Sequence, residues 1–275
     1  MGETGKIRSK RRASCVREDE TMIRLGIIGV GGIASAVVKG LKAKLGDELE
    51  VFLSPRNARR AEALRDAFTN VFIMDSNQEV LDRADRVIVA VLPDIAEEVV
   101  SSLRFRPDHQ VISLVSKPKM ADLKRWTGEC RTLCRVIPLP FIEFRTGPVL
   151  IHPRVPEVMD MFDGLGDVVA TDSEEEFILA QVLSCAMGPF YFLLDRLVAW
   201  MRELGLPPER SAPYLESMFA AMMRHASLTD PRELAELWKE MTPGGLNEEA
   251  IARIRADGAF ESWVRALEEV RKRII

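Results

Sequence analysis

The sequence predicts an α/β fold, with an N-terminal Rossmann-type parallel sheet followed by an all-α C-terminal domain. Three observations predict it. Short apolar runs alternate with helix-like segments as far as residue 171, a glycine cluster follows the first run, and no convincing strand pattern follows Ser173. Continuous apolar strands between helices are typical of a parallel sheet covered on both faces. We therefore expect three regions, at residues 1–21, 22–171 and 172–275.

Composition is that of an ordinary soluble protein. The 275 residues are 47% hydrophobic and 29% charged, and the formal net charge is -4. A nucleic-acid partner would need a concentrated basic surface, yet the basic residues cluster only near residues 6–12, so we expect no such partner. Residues 1–21 are predicted to be a disordered basic tail or an upstream extension, with Met22 as a candidate initiator. No apolar segment follows these positive charges, so we expect a cytoplasmic protein without a signal peptide.

Cysteine and histidine spacing gives no sign of a metal site. The four cysteines and three histidines are scattered, without paired C-x-x-C spacing or a combination typical of metal ligands. We expect no metal and idle or buried thiols.

The glycine cluster predicts a dinucleotide-binding loop. Residues 24–28 read as a strand, residues 35–45 as a helix, and Gly29, Gly31 and Ala34 between them fit the pattern G-x-G-x-x-G/A. Glycine lets the backbone N–H groups approach a pyrophosphate, and the small third residue lets the helix pack closely on the strand. The predicted cofactor-binding residues of the loop are Gly29, Gly31, Gly32, Ile33 and Ala34. The alternative is a glycine-rich turn without a ligand.

The end of the second strand, predicted at residues 49–54, selects the cofactor. Glu50 stands at the spacing expected of a ribose ligand, but the strand continues past it and ends at Ser54. Ser54, Arg56 and Asn57 are suited to the 2′-phosphate of NADPH, which favours NADPH over NADH. Arg59 or Arg60 is a candidate to share this role. The alternative reading of Arg56 is a solvent-exposed residue at the start of a helix.

Further strands complete the predicted sheet. They are expected at residues 71–74, 86–92, 110–115, 134–137, 148–151 and 168–170, with helices at residues 57–68, 77–81 and 94–103. Ligands bind beyond the carboxyl ends of parallel strands. We therefore expect the cofactor also to contact Val91, Leu92, Pro93 and Ser113.

The C-terminal half is predicted to be helical from a capping box at Ser173 onward. Residues 177–200 read as one long apolar helix, which Pro189 should kink. Because Gln181, Asp195 and Arg196 interrupt it, burial between domains or subunits is a better explanation than a membrane span. Later, residues 242–245 read as a tight loop and Asn247 as the N-cap of the next helix.

Taken in order, these motifs resemble the pyrroline-5-carboxylate reductase family from about residue 22 to the end. The matching stretches, each with the family pattern it resembles, are residues 26–34 (GFIGxGxMA), 90–93 (AVKP), 111–113 (ISxxAG), 135–138 (RVMPNTP), 188–191 (SGSGPAY), 204–207 (KLGLP) and 242–245 (SPGGTT). The order and spacing of the set are more specific than any single motif.

The resemblance implies an oxidoreductase in which NADPH reduces the C=N bond of a cyclic imine. It also implies that the helical domain forms a homodimer, or a higher oligomer built from it, and contributes to the substrate site. The implied substrate-binding residues are Met187, Gly188, Pro243, Gly244, Gly245, Leu246 and Asn247. Tyr191 and Asn247 are the candidate catalytic residues. Their alternative roles are a packed helix aromatic and a helix cap.

The sequence departs from the family pattern mainly in this substrate half. Leu139 replaces an asparagine, Met187 a serine, and Leu246 and Asn247 a pair of threonines. These changes favour an imine other than pyrroline-5-carboxylate itself. Two other functions stay open: a non-catalytic NADPH-binding sensor or scaffold, and a β-hydroxyacid-type dehydrogenase, although residues 171–200 lack the lysine that the latter uses.

Overall fold

The computed structural model describes residues 22–274, which fall into two compact units. The first ends at Thr171 and the second begins at Asp172. The expected tail at residues 1–21 and the thiol of Cys15 lie outside the described residues.

The first unit is built on one eight-stranded sheet in the order β3-β2-β1-β4-β5-β6-β7-β8. The strands are β1 (Ile23–Ile28), β2 (Leu49–Leu53), β3 (Val71–Ile73), β4 (Arg86–Val89), β5 (Gln110–Ser113), β6 (Thr132–Pro138), β7 (Pro148–His152) and β8 (Asp167–Ala170). All neighbouring strands pair in parallel except β6 and β7, which are antiparallel. The predicted α/β class is confirmed, with this single reversal added.

Six helices accompany the sheet: α1 (Gly32–Leu45), α2 (Ala58–Ala67), α3 (Asn77–Arg83), α4 (Ala96–Ser101), α5 (Met120–Thr127) and α6 (Pro156–Phe162). The last two, α5 and α6, were not predicted from the sequence. The predicted strand at residues 86–92 is too long: it ends at Val89, and the 3-10 turn Pro93–Ile95 leads into α4. This turn also shortens the helix expected at residues 94–103.

The core lies on both faces of the central strands. Ile27 belongs to the cluster that packs against α1, while its neighbour Ile28 belongs to the cluster that packs against α3 and α4. Both side chains are fully buried. Successive strand residues point to opposite faces, so a strand that is covered on both sides must be apolar at every position. This is why β1 and β4 read as continuous apolar runs.

The second unit is helical throughout its described residues. It contains α7 (Glu174–Ser184), α8 (Met187–Glu203), α9 (Pro208–Ser227), a 3-10 helix (Pro231–Glu240), α10 (Leu246–Ala256) and α11 (Ala259–Ile274). α8 packs on α9, and α11 packs on both α7 and α10. Ser173 caps α7 as predicted, with its side chain accepting a hydrogen bond from the Glu176 N–H at 3.1 Å.

Two local predictions for this unit are wrong. The chain turns at Cys185 and Ala186, so residues 177–200 form two helices rather than one kinked helix. Pro189 lies in the first turn of α8, where its missing N–H leaves no intrahelical hydrogen bond unmade. Asn247 is not the N-cap of α10: that position belongs to Gly245, and Asn247 lies inside the first turn.

Helix surfaces in this unit are strongly apolar. No residue of α8, α10 or α11 is buried among the described residues, and Phe192 and Tyr214 are 66% and 73% exposed. By length and composition alone, the stretch Glu174–Glu203 would be long and apolar enough to cross a membrane.

His109 ties the loop before β5 to the end of α3. Its Nδ1 accepts a hydrogen bond from the Arg106 N–H at 2.9 Å, and its Nε2 lies 3.1 Å from the Leu81 carbonyl oxygen. The side chain is fully buried. Burial and the nearby Arg106 cation lower the pKa of His109, so the neutral ring is the folded form.

We expect the free energy of unfolding to decrease as pH falls below about 6.5, the ordinary histidine pKa. As the pH falls, the unfolded chain binds the proton before the folded protein does, because the pKa of His109 is lower in the folded protein. The free energy of unfolding therefore keeps decreasing until the pH reaches that folded pKa. Asparagine keeps an acceptor for Arg106 but does not titrate, so His109→Asn should flatten this pH dependence. Urea unfolding between pH 5.5 and 7.5 measures it, with the exposed His225→Asn as control. An unchanged slope in His109→Asn would assign the pH dependence to other groups.

Candidate functional site

The loop after β1 depends on a glycine at position 29. Gly29 has a φ of +93°, and a Cβ at this position would lie 2.8 Å from the carbonyl oxygen of Ala90. Both the backbone angle and the close approach of the chain after β4 exclude other side chains. Gly29 therefore allows the ends of β1 and β4 to meet closely at the carboxyl edge of the sheet.

The next glycines open α1. Gly31 is its N-cap and Gly32 its first residue, and a Cβ on Gly31 would meet nothing within 4 Å. The first N–H groups of a helix lack intrahelical partners and attract anions. Ala34 is 1% exposed and packs in the core, as the third position of the fingerprint requires, whereas the side chain of Ile33 is only partly buried.

The side chain of Ser54 is hydrogen-bonded to the backbone of this loop. It is 1% exposed, and its Oγ accepts a hydrogen bond from the Gly29 N–H at 2.9 Å. The sequence predicted that Ser54 would meet a phosphate directly. In the structure the hydroxyl instead accepts a hydrogen bond from the loop backbone, so Ser54 fixes the conformation of the loop.

The residues after β2 bring positive charge to the same edge. Arg56 lines the cleft beside the glycine loop. Arg60 reaches back from α2 to the start of α1, where its Nη1 lies 2.9 Å from the position that a Cβ on Gly32 would take. Asn57 caps α2, its Oδ1 accepting from the Arg60 N–H at 3.4 Å. Glu50 is the second residue of β2 and pairs in register with Arg24 of β1, so it does not lie at the carboxyl end of the strand, where a ribose ligand would be expected.

The glycine loop and the residues after β2 line one cleft of about 360 Å³. Its lining residues are Gly29, Val30, Gly31, Arg56, Asn57, Ala58, Ala90, Val91, Leu92 and Ile95. The lining contains no carboxylate and includes two glycines of the loop and an arginine. This donor set fits a pyrophosphate and a ribose phosphate, as a bound dinucleotide would require.

The remaining predicted contacts lie close to this cleft or behind it. Pro93 begins the 3-10 turn whose last residue, Ile95, lines the cleft. Ser113 is fully buried at the end of β5, and its Oγ accepts from the Val115 N–H at 3.3 Å. Lys117 and Asp94 form an exposed ion pair, with 2.9 Å between Nζ and Oδ1, that joins the segments following β5 and β4.

The predicted substrate residues belong to the second unit and are described within it. Met187, Gly188 and Tyr191 lie in the first turns of α8, and Tyr191 is 52% exposed. The loop with Pro243, Gly244 and Gly245 turns through a hydrogen bond from the Gly245 N–H to the Thr242 carbonyl oxygen at 2.9 Å. Leu246 and Asn247 open α10, where Leu246 is 85% exposed.

Sequence reasoning missed one group at this loop. The Glu248 carboxylate accepts a hydrogen bond from the Gly244 N–H, with 2.5 Å between the two atoms. An acidic residue at the third position of a helix is a capping signal, and Glu248 stands three residues after Gly245. Reading Asn247 as the cap hid this signal.

The thiols and possible metal ligands add no further chemistry to the described residues. Burial raises the pKa of Cys134 to about 12, so this thiol stays protonated and inert. Within residues 22–274, no group of three or more His, Cys, Asp or Glu side chains is arranged to hold a metal ion.

Comparison with known proteins places this geometry in a family context. Residues 24–117 match the family model described as NADP oxidoreductase coenzyme F420-dependent. A pyrroline-5-carboxylate reductase from Corynebacterium melassecola is 24% identical over 260 residues, covering 89% of this chain and 95% of its own.

Two solved structures share the fold along nearly the whole chain. The 1-pyrroline-5-carboxylate reductase of Streptococcus pyogenes superposes with a TM-score of 0.80 at 20% identity, over 93% of this chain and 99% of its own. The Plasmodium falciparum pyrroline carboxylate reductase with NADP bound has a TM-score of 0.80 at 19% identity, over 92% and 97%. The ordered motifs, the full-length relatives and this fold thus all point to a resemblance between this chain and the pyrroline-5-carboxylate reductases.

Proposed function

We propose that this protein uses a reduced pyridine nucleotide to reduce the C=N bond of a small, cyclic imine. The observation that carries the proposal is the acid-free cleft at the glycine loop, which suits a dinucleotide. It stands in a chain whose full-length relatives are named pyrroline-5-carboxylate reductases. The test is oxidation of NADPH in the presence of a panel of cyclic imines. Tight cofactor binding without turnover of any imine would overturn the reductase function and favour a sensor or scaffold.

Residues of the first unit bind and orient the cofactor in this proposal. The N–H groups at Gly31 and Gly32 hold the pyrophosphate, and Ser54 keeps Gly29 in the geometry that presents them. Val91 and Leu92, which line the cleft, and Pro93 at the start of the next turn flank the nicotinamide. When bound, the reduced nicotinamide supplies a hydride to the imine carbon.

Residues of the second unit handle the substrate. The imine nitrogen must gain a proton as its carbon is reduced. Tyr191 carries a hydroxyl that can donate one, whereas the Asn247 amide orients a ligand but is a poor proton donor. In this proposal Met187, Gly188 and Leu246 make the substrate pocket largely apolar, and the Pro243-Gly244-Gly245 loop contributes backbone N–H groups to it.

The cofactor in this proposal is NADPH rather than NADH. Arg60 lies beside Gly32 at the start of α1, and Arg56 lines the cleft at the glycine loop, so two guanidinium groups flank the place where an adenosine 2′-phosphate would lie. Arginine matches the geometry of a phosphate and stays charged at any working pH. Asn57 supports the pair by capping the helix from which Arg60 projects.

We expect Arg56→Ala and Arg60→Ala each to weaken NADPH binding roughly tenfold or more while changing NADH binding little, because each loses a charge-assisted hydrogen bond to phosphate. Fluorescence titration with both nucleotides measures the ratio. Arg65→Ala in the last turn of α2 is the matched control. Equal losses for NADPH and NADH would remove the argument for a 2′-phosphate site.

The substrate in this proposal lacks a carboxylate beside the imine. In the family that the chain resembles, the substrate acid rests on the loop that corresponds to Pro243-Gly244-Gly245. Here the Gly244 N–H already donates to the Glu248 carboxylate. A carboxylated imine would have to displace Glu248 against like-charge repulsion.

We therefore expect the wild-type kcat/KM for 1-pyrroline to exceed that for 1-pyrroline-5-carboxylate. Glu248→Gln should raise kcat/KM for the carboxylated imine on the order of fivefold and leave 1-pyrroline nearly unchanged, because only the charge at Gly244 is removed. Glu249→Gln is the control, since Glu249 pairs with Arg253 at 2.6 Å instead. A wild-type preference for the carboxylated imine would refute this substrate class and leave the reductase function standing.

The partner in this proposal is a second copy of the chain, joined through the helical unit, in a cytoplasmic protein. Exposed apolar side chains crowd α8, α9 and α11, and a continuous apolar surface of this kind marks an interface. The apolar stretch Glu174–Glu203 contains the turn at Cys185 and Ala186 and carries Asp195 and Arg196 in its second half. These features favour contact with protein over a membrane span.

We expect the purified protein to be a dimer, or a multiple of it, at micromolar concentration in size-exclusion chromatography with light scattering. Phe192→Asp should shift the population toward monomer, because it places a charge in an apolar interface. Arg202→Glu changes an exposed polar position of the same helix and is the control. A wild-type monomer at this concentration would contradict the assembly.

A further inference from the structure

The sheet carries a second polar cleft at the opposite edge from the glycine loop, where β1, β4 and β5 begin. Its volume is about 280 Å³. It is lined by Met22, Ile23, Arg24, Asp85, Arg86, Asp108, Gln110, Arg131 and Glu157. None of these residues lines the candidate dinucleotide cleft.

Most charged groups around this cleft are already paired. Arg131 lies 3.4 Å from Glu157, and Arg106, behind the cleft, holds Asp108 at 3.1 Å and Asp85 at 3.6 Å. Arg24 is 4.0 Å from Glu50. The charges at the exposed rim of the cleft are therefore already paired with one another. They contribute little to the affinity for a ligand.

Arg86 and Gln110 stand apart from this pairing. They are direct neighbours in the register of β4 and β5, so their side chains project from the same face of the sheet. Arg86 makes no ion pair or side-chain hydrogen bond with the residues that the structure describes. Gln110 is 6% exposed, and its Oε1 has no hydrogen-bond partner within residues 22–274.

Both groups destabilise the folded protein as they stand. A buried amide oxygen without a donor loses its hydration without compensation. Burial, followed by the nearby Arg131 cation, lowers the pKa of Arg86, while Glu157 and Asp85 oppose the shift only in part. An anion beside Arg86 and a hydrogen-bond donor beside Gln110 would relieve both costs.

We propose that this cleft binds a small amino acid or hydroxy acid, with the carboxylate on Arg86 and an N–H or O–H group donating to Gln110 Oε1. The amide of glutamine turns readily about its last side-chain bond, which lets Oε1 face the ligand. Asp85, Asp108 and Glu157 repel a polyanion such as a nucleotide and attract an ammonium group. The site is independent of the proposed reductase function, because it shares no residue with the dinucleotide cleft.

Isothermal titration calorimetry on the full-length protein tests the proposal with glycine, L-alanine, L-lactate and inorganic phosphate, and with sodium chloride as the blank. We expect saturable binding of an amino acid or of lactate, equal with and without NADPH. Arg86→Gln should weaken it about tenfold or more, because it removes the charge that holds the carboxylate. Arg104→Gln removes an exposed arginine outside the cleft and should leave the binding unchanged.

A second variant separates a binding role from a purely structural one. Gln110→Leu has a similar shape and removes the unpartnered oxygen, so it should raise the melting temperature of the free protein and abolish ligand binding. Absence of binding by all the acids at millimolar concentration would overturn the proposal. Equal affinity in the wild type and Arg86→Gln would overturn it too, and phosphate binding more tightly than the amino and hydroxy acids would refute the ligand class.

Discussion

The hydrogen bond from the Gly29 N–H to the buried Oγ of Ser54 is the constraint on which the candidate dinucleotide site depends. It joins the end of β1 to the end of β2, while the close contact of Gly29 with Ala90 joins β1 to the segment after β4. Three segments distant in the sequence are thereby fixed around one loop. The helix that follows can then begin at Gly32 with its N–H groups directed to the open side of the loop.

Much of this half of the molecule could be predicted from the sequence, since its signals are local. A strand buried on both faces has to be apolar at each position, as Leu25, Ile27 and Ile28 are. The direction of the Ser54 side chain has no such local signal, because it depends on strand register. The contact of Arg60 with Gly32 could not be predicted either. The packing of α2 against α1 decides which of three neighbouring arginines reaches Gly32.

The helical half was harder to predict, for a different physical reason. Most of its apolar side chains are not buried within the described unit, so the hydrophobic pattern indicates helices but not their neighbours. Pro189 suggested a kink in one long helix. A proline is also compatible with the first turn of a helix, and the backbone turns at Cys185 and Ala186, before Pro189. At the start of α10, Asn247 and Glu248 are both capable of capping the helix. The longer side chain of Glu248 makes the contact with the loop.

The reversal between β6 and β7 has a consequence for the path of the chain. In the register of the sheet, Arg135 stands level with both Ser113 and His152, and the Thr171 N–H bonds to Ile151 just beside them. The chain therefore leaves its last strand at the height where the parallel strands end, which is the edge that carries the glycine loop. A further parallel strand would have required a crossover of a dozen residues or more to return there. One reversal through the 3-10 turn Pro140–Phe144 takes the place of such a crossover after β6, and β8 then follows β7 in parallel through α6 and ends at that same edge.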